Sequence, residues 1–340
     1  ISSGTMNHAG VRKVGDVLRR ELDALGLETE WIDLPPEMER AGHLFGRKVS
    51  GSGKKFVLIG HLDTVFEADD DFQAFARNGD TATGPGVEDM KGGNVVIVYA
   101  LKALQEIGAL QDIPVVVAFT GEEEKMGRPL AVSRKDLVEA GKWADYGLGF
   151  ESAITYDDAD WGTIARRSSS DWTLTVEGRQ AHSSGIFGAN AGAGAIFEAS
   201  RILNAFYEEV RGEEHLTFNA GTILGGTDVE YSSGQNRGTT FGKTNVIPRM
   251  AVVHGGIRTI SQDQLERAQA AMRAIVKNNL PHTTATIEFS EGYPPMFPSE
   301  GNRGVLAVLS KVNEDLGRGP MQELDPSRRG AADVSFVSPY

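Results

Sequence analysis

The sequence predicts an α/β protein of two domains, an open sheet flanked by helices and interrupted by a smaller α+β insertion. Three observations carry that expectation. Short apolar runs alternate with helical patterns over the first 165 residues, the order expected of an α/β sheet. Beyond about residue 165 the order changes to alternating strands grouped around two helices. A chain of 340 residues is also long enough for about two domains, at roughly 150 residues each.

The elements follow in order. Val11, Val14, Val17, Leu18, Leu22 and Leu25 recur at helical spacing, and Gly26 is placed to end that helix. Residues 27–34 and 44–49 read as strands, separated by Pro35-Pro36 and followed by a Gly51-Ser52-Gly53 turn. Three later segments share one format. Residues 56–59 form a short apolar run that ends in Gly60-His61-Leu62-Asp63. Residues 115–119 end in Thr120-Gly121-Glu122-Glu123-Glu124, and residues 146–150 end in Glu151. Helical patterns at 94–107 and 129–140 lie between them. Open α/β sheets bind ligands beyond the carboxyl ends of their strands, and His61, the 122–124 run and Glu151 all fall at that edge.

Residues 170–177 alternate, with Trp172, Leu174 and Val176 on one face. A helix is expected at 189–210, strands at 216–224, 244–247 and 251–260, a helix at 262–279 and a strand at 285–290. A last helical stretch, 301–316, is expected to return to the first domain. The expected boundaries are therefore 1–165 and 290–340 for the first domain and 166–289 for the insertion.

Composition narrows the function. With 34 Lys+Arg against 47 Asp+Glu the net charge is −13, and an acidic surface argues against a nucleic-acid partner. No apolar run approaches the ~20 residues that span a bilayer, so no membrane association is expected. The absence of cysteine excludes disulfides, thiolate metal sites and a cysteine nucleophile, and leaves the compartment open. The start at Ile1 is compatible with a removed export signal or a trimmed start, so periplasmic, secreted and cytoplasmic locations all stay open.

His61 and Asp63, two apart after a buried-type strand, share a face. Asp89 lies in the glycine-rich loop 84–93, which lacks the residue order of a phosphate-binding loop. With Glu123, Glu124 and Glu151 they give five carboxylates and one imidazole at one sheet edge. Such charges repel unless protonated or neutralised, and divalent cations neutralise them. His plus carboxylate ligands suit zinc, and a shared carboxylate suits a metal pair. The Asp69–Asp71 run lacks that placement and reads as surface.

GHLDTV at 60–65, GPGVEDMKGG at 84–93, TGEEEKMG at 120–127 and FES at 150–152 resemble the di-zinc exopeptidases of metallopeptidase family twenty. That group includes carboxypeptidase G, aminoacylase and succinyl-diaminopimelate desuccinylase, and the motif wording is most like carboxypeptidase G. The resemblance continues through GRQAHSS at 178–184, NAGTILGG at 219–226, NVIPRMAVVHGGIR at 245–258 and GAADVSF at 330–336. It implies an α/β/α catalytic domain with an inserted α+β lid and dimerisation domain, two zinc ions per chain, and a homodimer formed through 166–289. It further implies that His61, Asp89 and Glu151 hold one zinc, that Asp89 bridges to the second, and that Glu124 holds the second. Asp63 would orient His61, and Glu123 would act as general base. His182 would polarise the scissile carbonyl, often across a dimer interface, while Arg258 and Asn245 would receive the substrate's free carboxylate. His8, His43, His215, His254 and His282 match no ligand position.

Three departures accompany the resemblance. The family usually has Asp where Glu122 stands. Its second zinc takes a histidine some tens of residues beyond the position of Asp333, and none follows before Tyr340, so the expectation is that chain is missing there. No arginine stands in 288–294, where carboxypeptidase G has one near the glutamate side chain, so a preference for C-terminal glutamate is not inherited. The expected reaction is hydrolysis of an amide bond beside a free carboxylate, in a small peptide or an N-acyl amino acid. The alternatives are an aminoacylase-like deacylase and a truncated, non-catalytic relative.

Overall fold

The computed structural model describes residues 1–232 and 236–340. It divides into two compact units, Ile1–Ile164 with Pro298–Leu324 and Ala332–Tyr340, and Ala165–Phe297 with Asp325–Ala331.

The first unit is built on five strands, β1 (Glu28–Ile32), β2 (His43–Lys48), β3 (Phe56–His61), β4 (Val115–Thr120) and β5 (Tyr146–Gly149), in the order β1-β2-β4-β3-β5. β2 runs antiparallel to both β1 and β4, whereas β3 is parallel to β4 and to β5. β4 is buried along its whole length, which is why it reads as an unbroken apolar run rather than an alternating one. In register, His61 pairs with Thr120 and Ile59 with Gly149, so the carboxyl ends of β3, β4 and β5 come level.

Helix α1 (His8–Ala24) buries Val11, Val14, Leu18 and Leu22, and Asn7 caps it by accepting the Gly10 N–H. Helix α2 (Gly93–Glu106) buries Ile97, Val98 and Leu101. Its first residue lies against the end of β5, where a Cβ on Gly93 would sit 1.8 Å from the Phe150 carbonyl oxygen. Only glycine permits that approach, and it sets the backbone one residue before Glu151. The helix expected at 129–140 is broken into Leu130–Ser133 and α3 (Lys135–Trp143), with the buried Arg134 at the junction.

The second unit has β6 (Ser170–Gly178), α4 (Ala195–Glu209), β7 (Thr217–Gly226), β8 (Met250–Arg258), α5 (Gln262–Val276) and β9 (Thr283–Phe289). The strands form an antiparallel sheet in the order β7-β8-β6-β9. Its core joins Trp172, Leu174 and Val176 of β6 to Ile202 and Phe206 of α4 and Met272 of α5. The helix expected from 189 starts at Ala195, because Gly192 and Gly194 take φ of +71° and +79°, outside a right-handed helix. The strand expected at 244–247 is reduced to a single bridge between Val246 and His182, ahead of Pro248.

Residues 290–297 lie with this unit rather than with the first, where the sequence placed everything from 290 onward. Ser169 and Tyr293 exchange backbone hydrogen bonds of 3.0 and 2.9 Å, and Arg166 and Met296 do the same. The return of 325–331 is tied by the Arg166 guanidinium, which donates to the Gly330 carbonyl at 3.0 Å. Among the described residues no helix is long and apolar enough to cross a membrane.

Candidate metal centre

His61 closes β3 and is buried. Its Nδ1 lies 3.0 Å from the Asp63 backbone oxygen, a bond it makes by donating its proton, which turns the Nε2 lone pair outward. Nε2 faces Asp89 Oδ1 at 3.1 Å and Glu151 Oε1 at 4.0 Å. Asn94, in the first turn of α2, donates to the His61 carbonyl at 2.6 Å and fixes the end of the strand. Asp89 comes from the irregular turn Val87–Gly92, where it is extended (φ −109°, ψ 101°) and 55% exposed at its side chain. One ligand atom each from His61, Asp89 and Glu151 lie within 4.8 Å of one another. An imidazole and two carboxylates without thiolate form a donor set for a divalent cation such as zinc.

Asp63 ties this cluster to the acidic run after β4. Its carboxylate accepts the Thr5 hydroxyl at 2.7 Å and the backbone N–H groups of Glu123 and Glu124 at 3.0 and 3.1 Å. Burial opposes its charge, but the hydrogen bonds and the charge of His61 outweigh that, and its pKa lies below the ordinary carboxylate value. His61 is pushed well above its usual pKa, because bonds to Asp63 and Asp89 overcome the desolvation that acts the other way. Desolvation and the neighbouring carboxylates push Glu123 well up and Glu124 to about 7. Glu124 stands outside the converging group of His61, Asp89 and Glu151.

The second unit holds the other expected residues at two separate places. His182 follows β6 and is exposed, with Nδ1 turned to the Ser184 hydroxyl at 2.8 Å. The Asn245 carbonyl accepts the Ser183 N–H at 2.9 Å, so Asn245 and His182 are neighbours. Arg258 is at the far end of β8, and the strand of Met250–Arg258 spans roughly 26 Å at ~3.3 Å per residue. Asn245 and Arg258 thus stand well apart within one chain. The antiparallel course of β8 carries them to opposite ends of the sheet.

What stands beside Arg258 is Arg167, which the sequence reading passed over. Thr217 pairs with Arg258 across the sheet, and its hydroxyl accepts from Arg167 Nη1 at 2.8 Å. Burial, and then the charge of Arg258, lower the Arg167 pKa. The signal available in the sequence was an arginine pair, Arg166-Arg167, immediately before a strand.

The sequence pattern of peptidase family M20/M25/M40 matches residues 57–339. The chain belongs to that family. Carboxypeptidase G2 of a Pseudomonas species is 26% identical over 325 residues, which cover 93% of this chain and 71% of that protein. A succinyl-diaminopimelate desuccinylase of Gluconobacter oxydans is 26% identical over 333 residues, 94% of this chain and 80% of that one. Among solved structures, the aminopeptidase PepT of Bacillus cereus superposes with a TM-score of 0.71 at 19% identity, covering 100% of this chain and 84% of that chain. As a member of the M20/M25/M40 family the chain is a hydrolase of the peptidase and amidohydrolase type, with the two-unit α/β fold of that family.

Proposed function

We propose that this M20-family chain is a zinc-dependent carboxypeptidase-type hydrolase that cleaves an amide bond beside a free carboxylate. The observation that carries the reading is the convergence of His61, Asp89 and Glu151, with Asp63 tying them to the backbone of Glu123 and Glu124. A divalent cation held there, with Glu124 and Asp89 available to a second one, supplies Lewis acidity toward a carbonyl oxygen and lowers the pKa of water.

Glu123 is the general base. Its burial and carboxylate neighbours raise its pKa, which suits a group that must both accept and return a proton. It removes a proton from the attacking water as the new C–O bond forms, and delivers it to the amine nitrogen as the C–N bond breaks. Asp63 keeps Glu123 in place and holds the His61 ring in its ligand tautomer.

Arg258, with Arg167 beside it, receives the free carboxylate, for which guanidinium groups are suited by charge and planar geometry. His182 and Asn245 stand at the other end of the same sheet, too far from Arg258 for one small substrate to reach both. That separation supports a homodimer through residues 166–289, in which each chain lends His182 and Asn245 to its partner's substrate. The likeness to succinyl-diaminopimelate desuccinylases favours N-acyl amino acids as a second substrate class.

A panel of dipeptides, N-acyl amino acids, N-succinyl amino acids and their C-terminal amides tests the reading. Hydrolysis of at least one free acid and of none of the amides supports it. Equal rates on acids and amides would count against it.

A further inference from the structure

Each residue leading from β4 into the acidic run is held from beneath by a buried polar group with no part in the chemistry proposed above. The Thr120 hydroxyl donates to Asp333 Oδ2 at 2.5 Å, and the Gly121 N–H donates to His43 Nδ1 at 3.2 Å. Glu122, fully buried, accepts from the Gly127 N–H and from Arg134 Nη1. Arg134 also donates from Nε to Asp333 Oδ1 at 2.8 Å and is itself 1% exposed. One guanidinium thus spans two buried carboxylates, one on the 121–127 turn and one in the turn Asp333–Phe336. Two different donor edges are in use, which a lysine cannot reproduce.

We infer that Arg134 is a positioning residue: by bridging Glu122 and Asp333 it fixes the turn whose next two residues, Glu123 and Glu124, face the metal centre. Asp63 grips that turn by the Glu123 and Glu124 N–H groups, and Arg134 grips it one residue earlier by the Glu122 side chain. The inference rests on the metal-hydrolase reading. It also explains a buried arginine at the point where the 130–143 helix breaks.

The test is a Co2+ titration of the full chain, followed by calorimetry and by the visible absorption of the bound ion, in a double-mutant cycle. Glu124→Gln is expected to weaken Co2+ binding about ten-fold or more. Arg134→Lys is expected to do the same, and in the Glu124→Gln background to add less than about three-fold, because both changes remove one effect. Thr120→Val removes a single bond to Asp333 and leaves both ion pairs intact, so it serves if Arg134→Lys fails to fold. It is expected to weaken binding about three-fold in the wild-type background and not in Glu124→Gln. Folded variants that bind Co2+ like the wild type, or losses that multiply with that of Glu124→Gln, overturn the inference. A wild type that binds no Co2+ overturns the metal reading itself and the inference with it, whereas a Glu124→Gln variant that binds normally overturns the inference alone, because the turn would then hold no ligand in place.

Discussion

Asp63 Oδ1 accepts the backbone N–H of Glu123 at 3.0 Å, and the same carboxylate lies 3.4 Å from His61 Nδ1. One buried residue therefore sets both the imidazole that faces Asp89 and Glu151, through its backbone oxygen with the carboxylate alongside, and the backbone of the general base. Asp63→Asn keeps the shape but sets an amide N–H2 against one of these partners. Metal affinity is expected to fall about 10–100-fold, and stability by about 1–3 kcal/mol as a buried donor loses its acceptor. Isothermal titration and urea denaturation read the two effects. A variant unchanged in both would show that the contact positions nothing.

Glu123→Gln separates chemistry from binding. Because Glu123 serves as base and not as ligand, turnover is expected to fall by about 100- to 10,000-fold. The affinity for Co2+ is expected to stay within about three-fold of the wild type, so a large loss of affinity would recast Glu123 as a ligand.

His43 predicts an acid limb in stability. Its Nδ1 accepts from Gly121 N–H and its Nε2 donates to the Ser133 carbonyl at 2.9 Å, a pattern that only the neutral ring completes. Burial, then the charge of Arg134, lowers its pKa from 6.5 to about 4. The unfolded chain therefore binds a proton that the folded chain refuses between these values. The contribution of His43 is complete above about pH 6.5 and is lost as pH falls toward 4, to the extent of about 3 kcal/mol. His43→Gln can offer Gly121 and Ser133 an amide without a titrating proton. Its unfolding free energy is expected to fall less steeply than that of the wild type between pH 7 and 4.5. Parallel curves would remove His43 from the account.

The paired arginines predict a binding defect. Replacing Arg167 or Arg258 by Ala is expected to raise KM about ten-fold or more on a free-acid substrate, the worth of a charge-assisted hydrogen bond of about 1.5–3 kcal/mol. Steady-state kinetics check this, and a KM unchanged in both variants would place the carboxylate elsewhere.

The sheet edge was legible in the sequence because its signals are local. A buried strand reads as an apolar run, and the residue after it, His61, Thr120 or Glu151, lies at the carboxyl end by the rule for parallel strands. What lay behind the edge was not legible. Thr120 and Asp333 are 213 residues apart, and Arg134 meets Asp333 across 199, so no spacing announces their network. Arg134 falls inside the helix expected at 129–140 with nothing to mark it, and Glu122 read as a mild departure from a family pattern. The roles of Asn245 and Arg258 came from the family resemblance, which says nothing of the distance that the extended strand Met250–Arg258 puts between them.

The most direct measurement is hydrolysis of the best free-acid substrate before and after metal removal, in the wild type and in Glu151→Gln. Chelation is expected to abolish wild-type activity, and Zn2+ or Co2+ to restore it. Glu151→Gln, which keeps Glu123 but breaks the His61–Asp89–Glu151 set, is expected to need far higher metal or to stay inactive. Full activity in the chelated wild type, or ordinary metal reactivation of Glu151→Gln, would contradict a catalytic cation at this site.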